Sequence, residues 1–291
     1  MIERLCIIGV GLIGGSLARA LREAGACQEV VGAGRSAANL QTAVDLGVID
    51  RFVTDLARAV AGADMGVVCV PLGAMEAVFA HIKGHLEEHA VLTDAGSAKG
   101  SVIEAAQRAF GQVPACFVPG HPIAGTEQSG VEASFSSLYV DRRVILTPLP
   151  GTAVNATDRV REMWLAAGAQ VVSMDPVHHD AVLAATSHLP HVLAFSLVDT
   201  LSRLDETDEV FDYAAGGFRD FTRIASSDPV MWRDICVANG DAIQLMIEHY
   251  SADLQKVSEA IQNQDGEQLH DIFSRAKAAR DRYIDKQGKT G

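Results

Sequence analysis

The sequence predicts an α/β protein whose amino-terminal part is a doubly wound parallel sheet and whose carboxy-terminal part is all helical. Three observations predict it. Short β-branched runs alternate with longer amphipathic stretches from residue 1 to about 175, as in βαβ units. A glycine-rich turn follows the first of these runs. The strand pattern stops near Met174, and the remainder has a helical pattern. We therefore predict two domains, 1–175 and 176–291.

The predicted strands are short and apolar, and an amphipathic helix separates most of them. The strands are residues 5–10, 29–33, 65–70, 91–94, 116–119, 143–147 and 170–173. The helices are residues 14–24, 37–46, 74–86, 99–110 and 156–167. The run 67–70 is apolar on both faces, which is typical of a central parallel strand that helices cover on each side.

The carboxy-terminal part has a helix start and a long apolar stripe. Asp228 followed by Pro229 predicts a helix start, since Asp is a favoured N-cap and Pro suits the first turn. The stripe repeats at heptad spacing through Ile243, Ile247, Tyr250, Leu254, Val257 and Ile261. Such a stripe is most often ordinary core, but two subunits can also bury a shared interface in this way. We predict a homodimer that forms through the carboxy-terminal helices.

Composition and charge exclude several classes of protein. The chain has 291 residues and a net charge of −13, with a pI near 5.1. A nucleic-acid partner is not expected, because phosphate binding needs a basic surface. The five cysteines are scattered without a C-x-x-C pair, which predicts a reducing, cytoplasmic location without disulfides. The best membrane candidate, residues 5–18, is shorter than the roughly 20 residues of a span, so no membrane partner is expected.

Gly9, Gly11 and Gly14 form a G-x-G-x-x-G motif between a predicted strand and a predicted helix. In this context the first glycine makes the tight turn, the second lets a pyrophosphate approach, and the third lets helix and strand pack closely. Free N–H groups at the helix start would hold the diphosphate. A glycine-rich turn without a ligand is the alternative, and the position of the motif makes it unfavourable. We predict a dinucleotide site that also includes Leu12, Ile13, Val70 and Pro71.

The end of the second strand indicates the cofactor. An acidic residue there binds the ribose hydroxyls of NAD, but this chain has Gly34, Arg35 and Ser36. A guanidinium can hold a 2′-phosphate with two hydrogen bonds. We therefore predict NADP as the preferred cofactor, with NAD possible. The alternative is that Arg35 stacks on the adenine, which would allow either cofactor.

Two further segments lie at predicted strand ends on the same side of the sheet, where ligands of parallel sheets bind. One contains Ser97 and the other His121. A histidine there can accept the proton of a substrate hydroxyl while a hydride leaves the same carbon. The serine could orient the imidazole ring. Each residue could instead be an ordinary turn residue, with Ser97 as a helix cap and Pro122 stiffening the loop.

The sequence resembles the prephenate/arogenate (cyclohexadienyl) dehydrogenase family of tyrosine biosynthesis over nearly its whole length. The resemblance rests on residues 9–17, 94–99, 120–127, 187–191 and 216–225. It implies a Rossmann domain followed by a helical dimerisation domain. It also implies that His121 is the catalytic histidine with Ser97 as its hydrogen-bond partner, and that Arg223 binds a substrate carboxylate. The other residues that we expect to bind the substrate are Thr126, Glu127, His179, His188 and His191.

The implied reaction removes hydride from C4 of prephenate or arogenate and carbon dioxide from C1, so the ring becomes aromatic. An acidic protein needs a local cation for this anionic substrate, and Arg223 is the leading candidate. The alternative for Arg223 is an ion pair with Asp220 or Asp228. Gln128 stands where a lysine would assist an anionic side chain, which favours arogenate. We expect neither a chorismate mutase segment before the glycine loop nor a regulatory ACT domain after Gly291.

Two histidine clusters resemble metal sites, but we predict no metal. His81, His85 and His89 fall at helical spacing, yet Gly84 and two adjacent glutamates indicate a solvated face. Residues 178–180, His-His-Asp, indicate a helix start at the domain junction.

The same sequence features are compatible with two other functions. A β-hydroxyacid dehydrogenase shares the same two-domain plan, but it would use a helix lysine as its base. A protein that senses NADP without turnover should lack the set of Ser97, His121 and Arg223.

Overall fold

The main sheet of the computed structural model has six parallel strands in the order β3-β2-β1-β4-β5-β6. The structure describes residues 1–204 and 207–287. The strands are β1 Ile2–Ile8, β2 Cys27–Ala33, β3 Arg51–Val53, β4 Met65–Val68, β5 Val91–Asp94 and β6 Phe117–Val118. This is the strand order of the doubly wound dinucleotide-binding fold. The order of the strands along the sheet reverses between β1 and β4, which is the switch point of the topology. The predicted fold class is confirmed.

Helices join these strands and make up most of the chain after residue 175. They are α1 Leu12–Glu23, α2 Ala37–Asp45, α3 Leu56–Val60, α4 Met75–Ile82, α5 Lys99–Phe110, α6 Val154–Ala166, α7 Pro176–Leu183, α8 Leu189–Leu201, α9 Thr207–Asp212, α10 Gly216–Thr222, α11 Pro229–Ala238, α12 Gly240–Gln262 and α13 Gly266–Gln287. A π-helical turn, Ala184–His188, joins α7 to α8. Sequence analysis did not predict β3 or α3, because both are too short to show a period.

Strand β1 shows how the sheet is packed. Leu5 and Ile7 belong to the hydrophobic cluster on one face of the sheet, and Cys6 and Ile8 belong to the cluster on the other. All four side chains are almost completely buried. Helices therefore cover both faces, and the loops at the carboxyl ends of the strands are held by a close-packed core.

The chain leaves the parallel sheet at Pro119 and enters a second sheet. Its strands, in the order β7-β8-β9, are β7 Gly120–Pro122, β8 Arg143–Leu146 and β9 Gln170–Ser173. Strand β7 is antiparallel to β8, and His121 pairs with Ile145. The sequence predicted one mainly parallel sheet that includes the last two strands. They are parallel to each other, but they form this second sheet instead. A proline has no N–H to continue a ladder, so the hydrogen-bonded pattern stops after β6 and restarts one residue later.

The chain divides into two compact units, one of Met1–Ile243 and a second that begins at Gln244. Helices α7 to α11 lie in the first unit together with both sheets. The second unit contains α13 and the remainder of α12, and α12 carries the predicted apolar stripe. In this single chain the stripe residues Tyr250, Leu254 and Ile261 are 42%, 55% and 61% exposed. The domain boundary near residue 175 stays a prediction.

One segment corrects the expectation that no stretch of the chain suits a membrane span. Pro176–Leu201 is a 26-residue helical segment with a mean hydropathy of 1.5, and by length and composition alone it could cross a membrane. It differs from the candidate that we took from the sequence. Three of its polar side chains, His179, Asp180 and His188, are buried and hydrogen-bonded to other parts of the first unit. These contacts join the segment to β7, to the start of α5 and to the end of α11 in the first unit.

Candidate active site

The glycine loop has the geometry that its motif predicts. Gly9 has a positive φ of 96°, and a side chain there would lie 2.4 Å from the carbonyl oxygen of Cys69. A side chain at Gly14 would lie 2.4 Å from the carbonyl oxygen of Gly9. At Gly11 a side chain would meet no atom within 4 Å, so the space in front of it is open. The first and third glycines are needed for packing, and the second leaves room for a ligand.

The start of α1 suits a diphosphate. The helix begins at Leu12 with Gly11 as its N-cap, and no side chain caps it. Its first N–H groups are therefore free to donate to an anion, and the helix dipole favours negative charge at this end. The residues present thus fit a dinucleotide. Leu12, Ile13 and Val70 are half-buried beside this turn, and Pro71 is exposed.

The turn after β2 keeps two donors available. Arg35 is exposed and has no ion pair among the described residues. Ser36 is the N-cap of α2, and its Oγ accepts from the Asn39 N–H at 3.2 Å, so its own proton remains free to donate. A side chain at Gly34 would come no closer than 3.9 Å to Leu40. The turn therefore has space for an acidic residue, but the chain does not supply one.

His121 is the first member of a chain of buried hydrogen bonds. Its Nδ1 lies 2.9 Å from His179 Nε2, and His179 Nδ1 lies 2.7 Å from Asp180 Oδ1. His179 is fully buried, and His121 keeps 8% exposure. Both ring nitrogens of His179 are thus occupied by protein groups, which leaves neither for the predicted substrate contact.

Asp180 is anchored at the start of α5. Its Oδ1 accepts from the Lys99 N–H and its Oδ2 from the Gly100 N–H, each at 2.8 Å. These bonds and the neighbouring His179 lower the pKa of the Asp180 carboxyl, although burial opposes them and is the largest single influence. The carboxylate is therefore ionised and held in place by a helix N-terminus.

A buried ion pair supports the backbone beside His121. Lys99 Nζ lies 2.6 Å from Asp94 Oδ2 and also donates to the Gly120 carbonyl oxygen at 2.6 Å. Asp94 Oδ1 accepts from the Gly120 N–H at 3.1 Å. Both charged side chains have no exposed surface. The pair thus joins the end of β5, the start of α5 and the residue that precedes His121.

Ser97 is half-buried in the loop between these two charges. Among the described residues it forms no hydrogen bond to His121, whose Nδ1 is engaged by His179. The predicted role of Ser97 as a partner of His121 therefore stays a prediction.

His188 and His191 lie beside Trp232. His191 stacks on the indole ring with 3.6 Å between ring centroids, and its Nδ1 lies 2.8 Å from the Ser187 carbonyl oxygen. His188 Nδ1 lies 3.1 Å from Asn239 Nδ2. Its other nitrogen, Nε2, is buried without a hydrogen-bond partner in the described part of the chain, and so is Trp232 Nε1. Both nitrogens are therefore buried polar atoms that could hydrogen-bond to a ligand.

Burial makes these histidines weak bases. It lowers the pKa of His121 well below the ordinary value of 6.5, and His179 and Lys99 lower it further. Burial also lowers the pKa of His188 to about 4 and lowers the pKa of His191. The three rings are therefore neutral at physiological pH, so His121 can accept a proton.

Arg223 forms an ion pair with Glu127, not with Asp220 or Asp228. The two side chains are 62% and 37% exposed, so both remain accessible. The neighbouring Thr126 is exposed, and its Oγ1 accepts from the Gln128 N–H at 3.2 Å. Two residues that were predicted separately to bind the substrate are thus in contact.

The described residues, 1–204 and 207–287, contain no group of three or more His, Cys, Asp or Glu side chains placed to hold a metal ion. His81 and His85 are exposed, and His89 pairs with Asp64 at the surface.

Comparison with known proteins identifies the family. A model of the prephenate dehydrogenase nucleotide-binding domain matches residues 17–173, and a model of the prephenate dehydrogenase dimerization domain matches residues 175–275. The chain belongs to the prephenate dehydrogenase family. The cyclohexadienyl dehydrogenase of Zymomonas mobilis is 38% identical over 96% of this chain and 95% of its own. The prephenate dehydrogenase of Bacillus subtilis is 34% identical over 97% of this chain and 76% of its own.

Solved structures agree with this assignment. The prephenate dehydrogenase of Aquifex aeolicus, in complex with hydroxyphenyl propionate and NAD+, has a TM-score of 0.89 and 37% identity over 96% of this chain and 98% of its own. The arogenate dehydrogenase of Synechocystis has a TM-score of 0.80 and 26% identity over 97% of this chain and 100% of its own. Family membership confirms the resemblance and makes the chain a dehydrogenase with a nucleotide-binding domain.

No sequence pattern assigned a role to Asp94, Lys99 or Asn239, and Asp180 stood out only as part of the His-His-Asp run. The spacing of Asp94 and Lys99 around a strand end is a usable signal, because a charged residue on a core helix needs a buried partner. No local pattern brings Asn239 to His188, since the contact joins residues 51 positions apart.

Proposed function

We propose that this chain catalyses the NAD(P)-dependent oxidative decarboxylation of prephenate, arogenate or both. The observation that carries the proposal is His121, a neutral histidine beside the dinucleotide-binding half of the fold, with its Nδ1 engaged by the protein. Among the described residues its Nε2 has no hydrogen-bond partner. The named activities of relatives that align over nearly the whole chain support the proposal.

In this reaction His121 accepts the proton of the C4 hydroxyl while the C4 hydride leaves. The chemistry that a bound NAD(P)+ supplies is acceptance of that hydride. The C1–carboxylate bond then breaks, carbon dioxide leaves, and the electron pair enters the ring. The C4 oxygen takes the proton back from His121 as it becomes a phenol. No net proton is released, so a single base that returns its proton is sufficient.

Arg223 is proposed to bind a carboxylate of the substrate. It is the cation of a pair with Glu127, and both side chains are accessible to solvent. A carboxylate substrate can replace Glu127 as its partner, and a charge-assisted pair of this kind fixes orientation. Thr126, His188 and His191 are proposed to line the same substrate site.

A β-hydroxyacid dehydrogenase is disfavoured by the position of Lys99. That reaction would need a helix lysine as the base, and Lys99 lies at the start of α5. Its ammonium is fully buried and bonded to Asp94 and to the Gly120 carbonyl oxygen. It is therefore not available to a substrate hydroxyl.

We propose NADP as the preferred cofactor. The turn after β2 has no carboxylate to repel a 2′-phosphate, and Arg35 and Ser36 both offer unused donors. NAD is the alternative, and the related Aquifex structure contains NAD+.

We also propose a cytoplasmic homodimer formed through the carboxy-terminal helices. The exposed stripe on α12 supports the dimer, as does the match to a dimerization domain. All five cysteines are free, in keeping with a reducing compartment. Sedimentation of Leu254→Glu tests the dimer, because a charge in the stripe should yield monomers while wild type sediments as a dimer.

The proposed activity is tested by following cofactor reduction with prephenate, with arogenate and with 3-hydroxyisobutyrate. We expect reduction with at least one of the first two and none with the third. Turnover of 3-hydroxyisobutyrate alone would assign the chain to the β-hydroxyacid class. Cofactor binding without turnover of any of the three would indicate a sensing protein.

A further inference from the structure

The hydrogen-bond chain from His121 through His179 to Asp180 has a direction. Asp180 is held by two backbone N–H groups at the start of α5 and has no proton to give. His179 must therefore donate from Nδ1 to Asp180 Oδ1, across 2.7 Å. When His179 carries a single ring proton, on Nδ1, its Nε2 has only a lone pair and accepts from His121 Nδ1 across 2.9 Å.

We propose that His179 and Asp180 are positioning residues that hold His121 in the tautomer with its proton on Nδ1. This leaves the lone pair on Nε2, where a substrate hydroxyl can be deprotonated. The inference rests on the proposed function, since it names what prepares the base of that reaction. The arrangement has the same logic as an Asp that orients the histidine of a hydrolase triad, with a second histidine inserted between them.

The same chain stabilises His121 after it accepts a proton. The imidazolium keeps its Nδ1–H bond to His179, and the Asp180 carboxylate lies at the far end of the chain to balance the new charge. The burial of His179 excludes water from this side, so a competing hydrogen bond cannot reorient the ring. Asn239 adds rigidity, because its Nδ2 donates to the Asp180 carbonyl oxygen at 2.9 Å.

The first test is nitrogen NMR of the full-length protein with 15N-labelled histidine, with His121→Asn used to assign the His121 signals. We expect a protonated Nδ1 and an unprotonated Nε2 for His121 at neutral pH. His179→Phe should remove this preference, whereas His178→Gln, which changes an exposed neighbour on the same helix, should leave it intact. An Nε2-protonated His121 in wild type would overturn the proposal. This readout does not depend on turnover, so it is separate from failure of the proposed function.

The second test compares the kinetics of His179→Phe and His179→Gln. Phenylalanine fills the space without an acceptor, and the glutamine amide oxygen can still accept from His121 Nδ1. We expect kcat to fall about 10- to 100-fold for phenylalanine, the size of a lost hydrogen bond to a charged group, with KM little changed. Glutamine should recover most of this loss. Equal losses in the two variants would show that His179 only fills space. If His179→Phe does not fold, the proposal is tested by the kcat of His179→Gln, which should stay near that of wild type, and by the protonated nitrogen of His121 in the wild-type NMR spectrum.

Discussion

His121 is the residue on which the chemistry depends, and its replacement by asparagine is the sharpest change at this scale. An asparagine amide can still donate to His179 but has no nitrogen at the position of Nε2. We expect His121→Asn to lower kcat by about 10²–10⁴, the usual contribution of general acid–base assistance, with cofactor affinity unchanged. Single-turnover kinetics and cofactor titration measure the two effects. A variant with near-normal kcat would remove His121 from the mechanism.

Arg223 should affect substrate affinity more than the chemical step. Loss of a charge-assisted bond to a carboxylate costs roughly 1.5–3 kcal/mol, so Arg223→Ala should raise KM by about tenfold or more. Arg203→Ala is a matched control, since it also removes an exposed arginine from an ion pair. An unchanged KM would mean that the pair with Glu127 is structural only.

Individual residues show which features of the site could be predicted from the sequence. The catalytic histidine could be predicted because it follows a strand end beside a dinucleotide motif. The orientation of its ring could not, because His179 lies 58 positions away and reaches it only after the helices pack on the sheets. For the same reason the sequence did not predict that Arg223 pairs with Glu127. The partners predicted from nearby residues were Asp220 and Asp228.

The glycine loop is the element with the clearest division of roles. Gly14→Ala places a methyl group 2.4 Å from the Gly9 carbonyl oxygen, and overpacking of this kind costs about 1–3 kcal/mol. Gly11→Ala meets nothing in the protein. We expect the first variant to lower Tm and the second to keep Tm but weaken dinucleotide binding about tenfold or more, roughly 1.4 kcal/mol. Equal cofactor affinity in Gly11→Ala and wild type would place the diphosphate elsewhere.

The turn after β2 should determine cofactor choice. We expect a higher kcat/KM with NADP than with NAD in wild type, because Arg35 and Ser36 can donate to a 2′-phosphate. Gly34→Asp combined with Arg35→Ala should reverse the order, and the space at Gly34 admits the new side chain. Both cofactors are compared at saturating substrate. A wild-type preference of tenfold or more for NAD would assign Arg35 to the adenine instead.

Elements were predictable where their signals are local in the sequence. The bounds of α5, β5 and β9 match the predicted residues, because capping and burial patterns are local. The second sheet was not predictable, since its antiparallel pairing of β7 with β8 depends on tertiary contact across more than 20 residues. The contacts of His179, Asp180 and His188 with His121, Lys99 and Asn239 were likewise not predictable, because they join residues at least 51 positions apart.

At the scale of the whole molecule, the buried neutral histidines should make the fold sensitive to acid. An unfolded chain takes up protons on His121, His188 and His191 below about pH 6.5, while the folded chain does not until lower pH. The contribution of these histidines to the free energy of unfolding is therefore fully present above pH 6.5. It falls as pH drops toward 4, by up to about 1.4 kcal/mol per pH unit for each histidine. Carboxyls with a lowered pKa, such as that of Glu29, also lower the free energy of unfolding as pH falls, but only below about pH 4.5.

Urea unfolding at pH 7 and at pH 5 measures this effect. His188→Gln removes one titrating group, whose folded-state pKa is about 4, so its stability should change less between the two pH values than that of wild type. The surface variant His85→Gln should behave as wild type. An equal pH dependence for His188→Gln and wild type would mean that His188 takes up its proton equally in the folded and unfolded states.

The central claim, that this chain couples oxidation to decarboxylation at His121, is tested most directly by stoichiometry. Reduced cofactor and released carbon dioxide are measured together during turnover of prephenate or arogenate. We predict one carbon dioxide for each cofactor reduced in the wild type, and a loss of both signals in parallel in His121→Asn. Reduced cofactor without carbon dioxide, or oxidation of neither substrate, would contradict this mechanism.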